Sequence, residues 1–569
     1  MTRVLPSRQA DTARGTGAAG AGGPLRDVLR SAESGIGTRR GGLIVFGSAV
    51  AVFAVESIGL PAIPGRDFGT YLRFYLQIAD WHSVFPMSML FRTPLAPIVV
   101  GVPLDLTGGW GAQVVFTLLF AASVLAWTRV ALTFGNRAAL VTAVALILYP
   151  GYGILFHELA SDAVAAAAYA GWALALRRAV ARPTTARFAV VGLLVAGAAL
   201  ARPGNQALIA LALVPLALSI PLRQRIACVV ACVAAAAVVL GGWAVNNGLR
   251  YDDYAVARGG TAYLPFFRAF TSDHIVEPGN GAASRKLADA VQKDLLPQEP
   301  YRSYGVTLRD FFARGSDREF EDLLGLSDRI WGWNSDYAEL RKVGLEAVRA
   351  HPATYARGVT GTVLRELWHP LFVALPAKRA PTSSAPTASA PASGSAGTST
   401  GDTIVVNGKT LPRPTGGEMI PAAHQGFYST TPDGHIHEVW TSPTAHTIVL
   451  SDPADQRRFD EIDARRAQLT SRVPPYAGSD WLTLQFSRSS KLFPPPLLWL
   501  VAGAAGLIVR RPQGALLAIA LALGALILVV FNALMIYTII EFAIPLAPAL
   551  IVFGAAGLVG ERRAAQAER

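Results

Sequence analysis

The sequence predicts an all-α polytopic membrane protein with about ten or eleven transmembrane helices, a largely helical outer segment and a small β-rich insertion. Three observations predict it. First, 52% of the residues are hydrophobic and only 16% charged, with a mean hydropathy of +0.36; soluble domains carry about 25% charge. Second, apolar runs of about 15 to 22 residues recur along the chain, the length needed to cross a hydrocarbon core of roughly 30 Å. Third, the arginines bunch at the ends of those runs, as the positive-inside rule expects.

Residues 1–42 are polar and basic, too long before the first apolar run for a signal peptide and without a small-residue cleavage site. They read as a disordered cytoplasmic tail, with Arg39 and Arg40 holding the first span's start on the inner face. Candidate spans fall near 43–63, 111–131, 138–153, 162–177, 188–202, 207–221, 226–246, 492–509, 514–534 and 538–559. Counting from an inner N-terminus puts four basic turns on the inner side: Arg129 with Arg137, Arg177 to Arg187, Arg223 with Arg225, and Arg510 with Arg511. The short tail 561–569, with Arg562 and Arg563, falls there too. A cell-membrane protein with both termini cytoplasmic is therefore expected, built from a core at 43–246 and a helical group at 492–560. One run does not fit. "PLAPIVVGVPLDL" (94–106) is short and proline-bearing, and a full crossing would invert everything after it. It reads as a re-entrant, surface-lying or broken segment, tolerated where protein or water satisfies its backbone.

The same count places two features outside: a loop at 64–97 and a long segment at 247–491. All nine histidines fall in outer segments. Residues 247–378 read as helical. Within them "HPATYARGVTGTVLRELW" starts with Pro352 at a first helical position and spaces Tyr355, Val359, Val363 and Leu367 along one face, as in a helix lying on a membrane surface. A Pro/Ser/Thr/Ala linker follows at 379–402, which cannot bury a core. The insertion at 403–491 has short β-like runs up to residue 450 and a "TPDGH" turn.

Several functions are disfavoured. The net charge of +12 is spread over helix ends, without the basic patches interleaved with aromatics that grip nucleic acid. Cys228 and Cys232 sit four apart in one apolar helix and read as small core residues. Walker-type loops and G-x-G-x-x-G turns are absent. His435, His437 and Glu438 form a His-x-His pattern that reads as a solvated hairpin before a metal site.

The polar residues that invite chemistry are few. "GRDFGTYLRFYLQIADWHSVFPMSMLFRTPLAP" (65–97) follows the first span directly. Asp67 and Tyr71 are four apart and share a helical face, with Leu72, Tyr75 and Ala79 forming an apolar side against the bilayer. An interfacial helix with an aromatic belt explains the tyrosines and Trp81; it does not explain Asp67, Asp80, His82 and Arg92 at the membrane edge, where ionisable groups are usually functional. In "FHELASD", Glu158 and Asp162 stand at the mouth of another span, where Ser161 or Asp162 capping the next helix and a catalytic acid fit equally. Arg202, in "ALARPGNQ", sits at an outer span end against the charge bias and calls for an anionic partner, a carboxylate or a phosphate.

The first-loop acid, "FRTPLAP", "HELASD", "ALARPGNQ" and "HPATYARG", in that order, resemble the polyprenyl-phosphate-dependent glycosyltransferases of the GT-C superfamily, especially the protein O-mannosyltransferase-like and aminoarabinose transferase-like branch. The resemblance covers roughly 43–370 and 492–560. It implies a sugar transfer from a polyprenyl-phosphate donor to an extracytoplasmic glycan, lipid or protein acceptor. Asp67 matches the first-loop acid that serves as general base, "RTPLAP" with Arg92 the Pro-rich segment, Asp162 the second-loop acid, and Arg202 the Arg-Pro at a span end. Where the family often has Arg-Tyr before a late proline, this chain has "EFAIPLAP" with Glu541.

The chemistry asks for the same parts: a base within reach of the acceptor's proton and cations where charge builds on the departing phosphate. Asp67, Asp162 and Glu158 are the candidate catalytic acids, Arg92, Arg202 and His82 the phosphate ligands, and Tyr71 and Trp81 the substrate contacts. No cofactor is required, and a divalent cation is left open. Two rivals stand beside this reading. A transporter or flippase of envelope lipids expects mid-membrane charges and paired broken helices. A non-catalytic membrane assembly protein expects acids that only cap helices.

Overall fold

The computed structural model describes residues 31–80, 89–258, 264–297, 301–332, 335, 337–369, 403–406, 409–412, 436–442, 445–450, 452–476, 481–510, 512, 514–535 and 540–561. The fold is overwhelmingly helical, with three two-stranded sheets among the described residues. Six described helices are long and apolar enough to cross a membrane, and seven if one pair bent by 54° counts as a single span. This is the fold of a multi-pass membrane protein.

In chain order the membrane part comprises α1 (Arg39–Gly59), α2 (Phe68–Gln77), α3 (Leu95–Ala131), α4 (Asn136–Ile147), α5 (Pro150–His157), α6 (Ser161–Ala181), α7 (Thr185–Ala201), a 3₁₀ segment (Pro203–Ala217) and α8 (Leu222–Tyr251). α4 and α5 are the bent pair; Pro150, at the first turn of α5, needs no N–H there and resets the axis. α6 is central and packs against α3 and α7, while α8 lies outside α7. The 3₁₀ segment has 15 residues; at about 2.0 Å rise per residue it extends roughly 30 Å, where an α-helix of that length would reach only about 22 Å.

The run at 94–106 is a helical arm rather than a hairpin. It continues into the following span as α3, broken only at Gly108, whose φ of 73° and ψ of −165° are non-helical. Pro94 and Pro97 are accommodated at the start, where no intrahelical N–H partner exists. The arm does not lie bare on lipid: α2 packs on it, and the Tyr75 hydroxyl donates to Asp105 at 3.0 Å. Tyr75 therefore faces protein, where the i, i+4 pattern had pointed it at the bilayer.

The C-terminal group is α14 (Pro496–Val509), α15 (Ala515–Met535), a 3₁₀ turn (Ile540–Leu546) and α16 (Ala547–Val559). α14 and α16 pack through glycines. A Cβ on Gly506 would lie 2.1 Å from the Gly557 Cα, and one on Gly557 2.7 Å from the Gly503 Cα. Close backbone approach through small residues is how helices associate where water supplies no hydrophobic force.

One end of the bundle gathers the basic turns. Arg129 donates to the Gly37 and Thr38 carbonyls at 3.2 Å each, Arg177 to Thr133 at 2.9 Å and Arg187 to the Arg182 carbonyl at 2.9 Å. The Glu561 N–H reaches the Phe134 carbonyl at 2.8 Å. Arg187 thereby satisfies a carbonyl left open where α6 ends.

Beyond the other end, α9 (Leu264–Thr271), α10 (Asp317–Trp331), α11 (Ala338–Ala350) and α12 (Pro352–Trp368) contribute to a separate core that includes Phe266, Phe270, Phe311, Leu323 and Leu340. Two antiparallel hairpins follow, Thr403–Val406 with Lys409–Pro412 and Ile436–Ser442 with Ala445–Leu450. The linker 379–402 lies outside the described residues. After the hairpins, α13 (Pro453–Ser471) straps across α2 and the α3 arm. Arg458 pairs with Asp80 at 2.8 Å, Arg73 with Asp463 at 2.7 Å and Arg465 with Asp105 at 2.6 Å.

Candidate functional site

Two loops nearly a hundred residues apart are joined by one short parallel pairing. Ile63 lies opposite Glu158 and Pro64 opposite Leu159. Gly65 then passes so close to the second loop that a Cβ there would stand 2.7 Å from the Ala160 Cβ. This contact brings the stretch carrying Asp67 beside the stretch carrying Asp162, at the end of the bundle opposite the basic turns.

Asp67 is the residue before α2 and adopts a left-handed backbone, φ 60° and ψ 12°. Among non-glycine residues, Asp and Asn tolerate that conformation best. Its side chain makes no capping bond; the carboxylate instead meets Arg92, Oδ2 to Nη2 at 2.9 Å. The loop presenting Arg92 is fixed from the outer segment. The Arg258 N–H donates to the Leu90 carbonyl at 2.8 Å, and Phe91 stacks on Tyr337 with ring centroids 6.3 Å apart. Arg258 is itself buried between Asp253 at 2.9 Å and Asp328 at 2.7 Å.

Asp162 stands in the first turn of α6, whose cap residue is Ala160. Neither Ser161 nor Asp162 caps that helix. The Asp162 carboxylate faces Arg202 in a close ion pair, and the positive end of α6 favours a negative charge at this position. Arg202 follows the last turn of α7, where Pro203 ends the helix. Its guanidinium lies over the Phe542 ring, 3.7 Å from the centroid, and Arg66 approaches the same ring at 5.7 Å. "EFAIPLAP" thus contributes an aromatic platform through Phe542; the side chain of Glu541 is outside the described residues.

Tyr71, buried at 4% exposure, links the two pairs. Its hydroxyl is hydrogen-bonded with Ser161 and lies in the field of Arg92, Asp67 and Asp162; burial pushes the phenol up to about 12, so it stays neutral. The Glu158 backbone forms the pairing strand while its side chain is half-buried. Trp81 and His82 lie outside the described residues.

No protein-family model, curated protein or solved structure matches this chain.

What the site can do follows from its geometry. The Asp67–Arg92 pair is the open one, with side chains 35% and 33% exposed, against 14% and 18% for Asp162–Arg202. Solvent reaches Asp67 more readily, whereas Arg202 sits deeper beside an aromatic ring. Among the described residues no three His, Cys, Asp or Glu side chains gather as metal ligands, and Asp67 and Asp162 each face an arginine. Three residues of the neighbourhood escape a reading of the chain: Arg66, Phe542 and Glu366. Arg66 stands beside Asp67 in the sequence and was open to view. Phe542 looks like any apolar residue of a span. Glu366, 1% exposed, sits on an amphipathic helix where a glutamate ordinarily faces water.

Proposed function

We propose that this chain is an integral cell-membrane glycosyltransferase of GT-C type, moving a sugar from a polyprenyl-phosphate donor to an extracytoplasmic acceptor of the cell envelope. The supporting observation is the pairing of the 63–64 and 158–159 strands, which sets two acid–arginine pairs side by side at the mouth of an apolar helical bundle. A donor with a lipid tail and an anionic head fits such a mouth. The tail lies along the helices, and the phosphate meets guanidinium groups at their ends. The basic turns at the opposite end support a cytoplasmic placement of both termini.

In this reading the acceptor hydroxyl attacks the anomeric carbon as its proton passes to the Asp67 carboxylate. The bond from that carbon to the phosphate oxygen breaks, and the configuration inverts. Arg92 holds the Asp67 carboxylate in position. Arg202, oriented by Asp162 and Phe542, stabilises the charge left on the lipid phosphate. Tyr71, neutral and buried, fixes the spacing of the two pairs. The test is direct: purified protein in nanodiscs binds a polyprenyl-phosphate sugar and transfers it to envelope acceptor material. Absence of binding to any such donor ends this proposal.

Transport of an envelope lipid is the second reading, favoured by one observation. Glu56 and His157 form a buried pair at 3.4 Å, and His157 ends the bent α4–α5 helix pair. Ionisable groups inside a membrane often mark pathways. Movement of a labelled lipid phosphate across proteoliposomes without sugar transfer would favour this alternative.

A further inference from the structure

Glu366 is a buried acid near the site that the mechanism above does not use. It lies on α12, whose buried face is formed by Thr362, Glu366 and Leu367. One turn earlier on that face, Thr362 accepts a hydrogen bond from Arg268 Nη1 at 3.1 Å. Arg268 is otherwise engaged, with Asp273 at 3.0 and 3.1 Å and with the Ala533 carbonyl at 2.7 Å. The Glu366 Oε2 atom is buried and has no hydrogen-bond partner among the described residues. A carboxyl oxygen in that state is costly unless something satisfies it.

Arg202 lies on the same side: α12 packs against the 540–546 turn, whose Phe542 ring carries the Arg202 guanidinium, and its charge acts on the Glu366 carboxyl. Among the described residues its guanidinium donates through Nη1 to Asp162, leaving Nε and Nη2 for another acceptor. An orphaned carboxyl oxygen and unused guanidinium N–H groups thus belong to one neighbourhood. An anionic oxygen between them would satisfy both, provided that the carboxyl carries its proton.

We propose that Glu366 is an uncharged carboxylic acid that donates its O–H to a phosphate oxygen held by Arg202, making it a further residue of the donor-phosphate site. This rests on the transferase reading above, and it specifies how that site accepts an anion. The protonation state is consistent: burial pushes the Glu366 carboxyl up to about 8, against the lowering pull of Arg202 and Arg268. A bound phosphate would favour the proton further. The charged and titratable groups around it are Arg202 with Asp162, Arg268 with Asp273, and Tyr355 and Arg365 on α12 itself; α11 brings Glu346 and Arg349 near the start of α12, the 540–546 turn packed on α12 has Glu541 in its sequence, and α14 and α15 carry no ionisable side chain.

The experiment measures binding of a polyprenyl phosphate to the full chain in nanodiscs from pH 6.5 to 9.5, for the unmodified protein, Glu366→Gln and Glu366→Ala, with inorganic phosphate as a parallel probe. The unmodified protein should bind well below pH 8 and lose affinity above it, as the carboxyl ionises and repels the anion. Below pH 8, Glu366→Ala should bind roughly ten- to a hundred-fold more weakly than the unmodified protein, the loss of one charge-assisted hydrogen bond, and the gap should close as the pH rises above 8, because alanine carries no charge to repel the anion. Glu366→Gln, which keeps a donor and no charge, should rescue most of that loss and abolish the alkaline fall. Inorganic phosphate showing the same pattern means the site reads the phosphate alone; a pattern confined to the lipid means the tail must also be seated. Either supports the assignment. Equal binding by all three proteins, or Glu366→Gln as weak as Glu366→Ala with an unchanged melting profile, overturns it while leaving the transferase reading intact. Failure of the unmodified protein to bind any phosphate removes both.

Discussion

Replacing Asp67 by Asn isolates proton transfer from fold, and the structure shows why. The side chain makes no capping bond, so no helix cap is lost. The backbone at φ 60° is left-handed, which Asn adopts as readily as Asp. The ionic partner Arg92 is one-third exposed, as is Asp67; open pairs of this kind contribute about 0–1 kcal/mol. Stability should therefore change by less than about 1 kcal/mol, and donor affinity little, because the proposal assigns the phosphate to Arg202. Turnover should fall about 10²–10⁴-fold, the usual worth of a positioned base. Asp67→Ala is the less informative variant, because it also disfavours the left-handed backbone. The assay is single-turnover transfer from a labelled lipid-phosphate sugar, with donor binding and melting measured on the same preparation. Turnover within about threefold of the unmodified protein, with normal donor binding, would refute Asp67 as the base and leave Asp162 and Glu158 to be tested.

Three further outcomes are expected. Arg202→Ala should weaken lipid-phosphate binding roughly ten- to a hundred-fold and lower turnover with it, the opposite balance from Asp67→Asn; unchanged binding by equilibrium titration would remove Arg202 from the phosphate site. A cysteine at Glu461 on α13 should react in intact cells with a thiol probe that cannot cross the membrane, and one at Arg182 should not; the native Cys228 and Cys232 are buried and stay silent, and the reverse pattern would invert the topology. Gly557→Val should destabilise the bundle by about 1–3 kcal/mol, because its Cβ would sit 2.4 Å from the Ala502 carbonyl oxygen; a melting temperature unchanged in detergent would show that α14 and α16 separate freely.

Apolar runs and arginine-rich turns are legible because they are local: a span is a length of oil, and a cation beside it reports a helix end. The same logic reaches its limit at two segments. The run at 94–106 reads from sequence as a re-entrant, surface-lying or broken segment because it is short and proline-bearing, yet two of its prolines fall where a helix needs no N–H, and the interruption comes at Gly108 instead. The span expected at 207–221 falls on Pro203–Ala217, which winds as a 3₁₀ helix, and apolar periodicity does not distinguish that winding from an α-helix.

The candidate site was legible as residues and illegible as partners. Asp67, Arg92, Asp162 and Arg202 each attract notice as charges at the edge of an apolar run. Which acid meets which arginine depends on a two-residue strand pairing, too short to leave a pattern, and on an outer segment that holds Leu90 and Phe91 from more than 150 residues away. Glu366 fails to announce itself for a related reason. On an amphipathic helix a glutamate reads as solvated until the packing of α12 against α15 and the 540–546 turn takes the water away. The energetic consequence runs in one direction. A buried carboxyl oxygen without a partner is tolerated where something else supplies the missing bond, and one of the two arginines whose charge acts on Glu366 is the Arg202 that the sequence had already singled out at the end of a span.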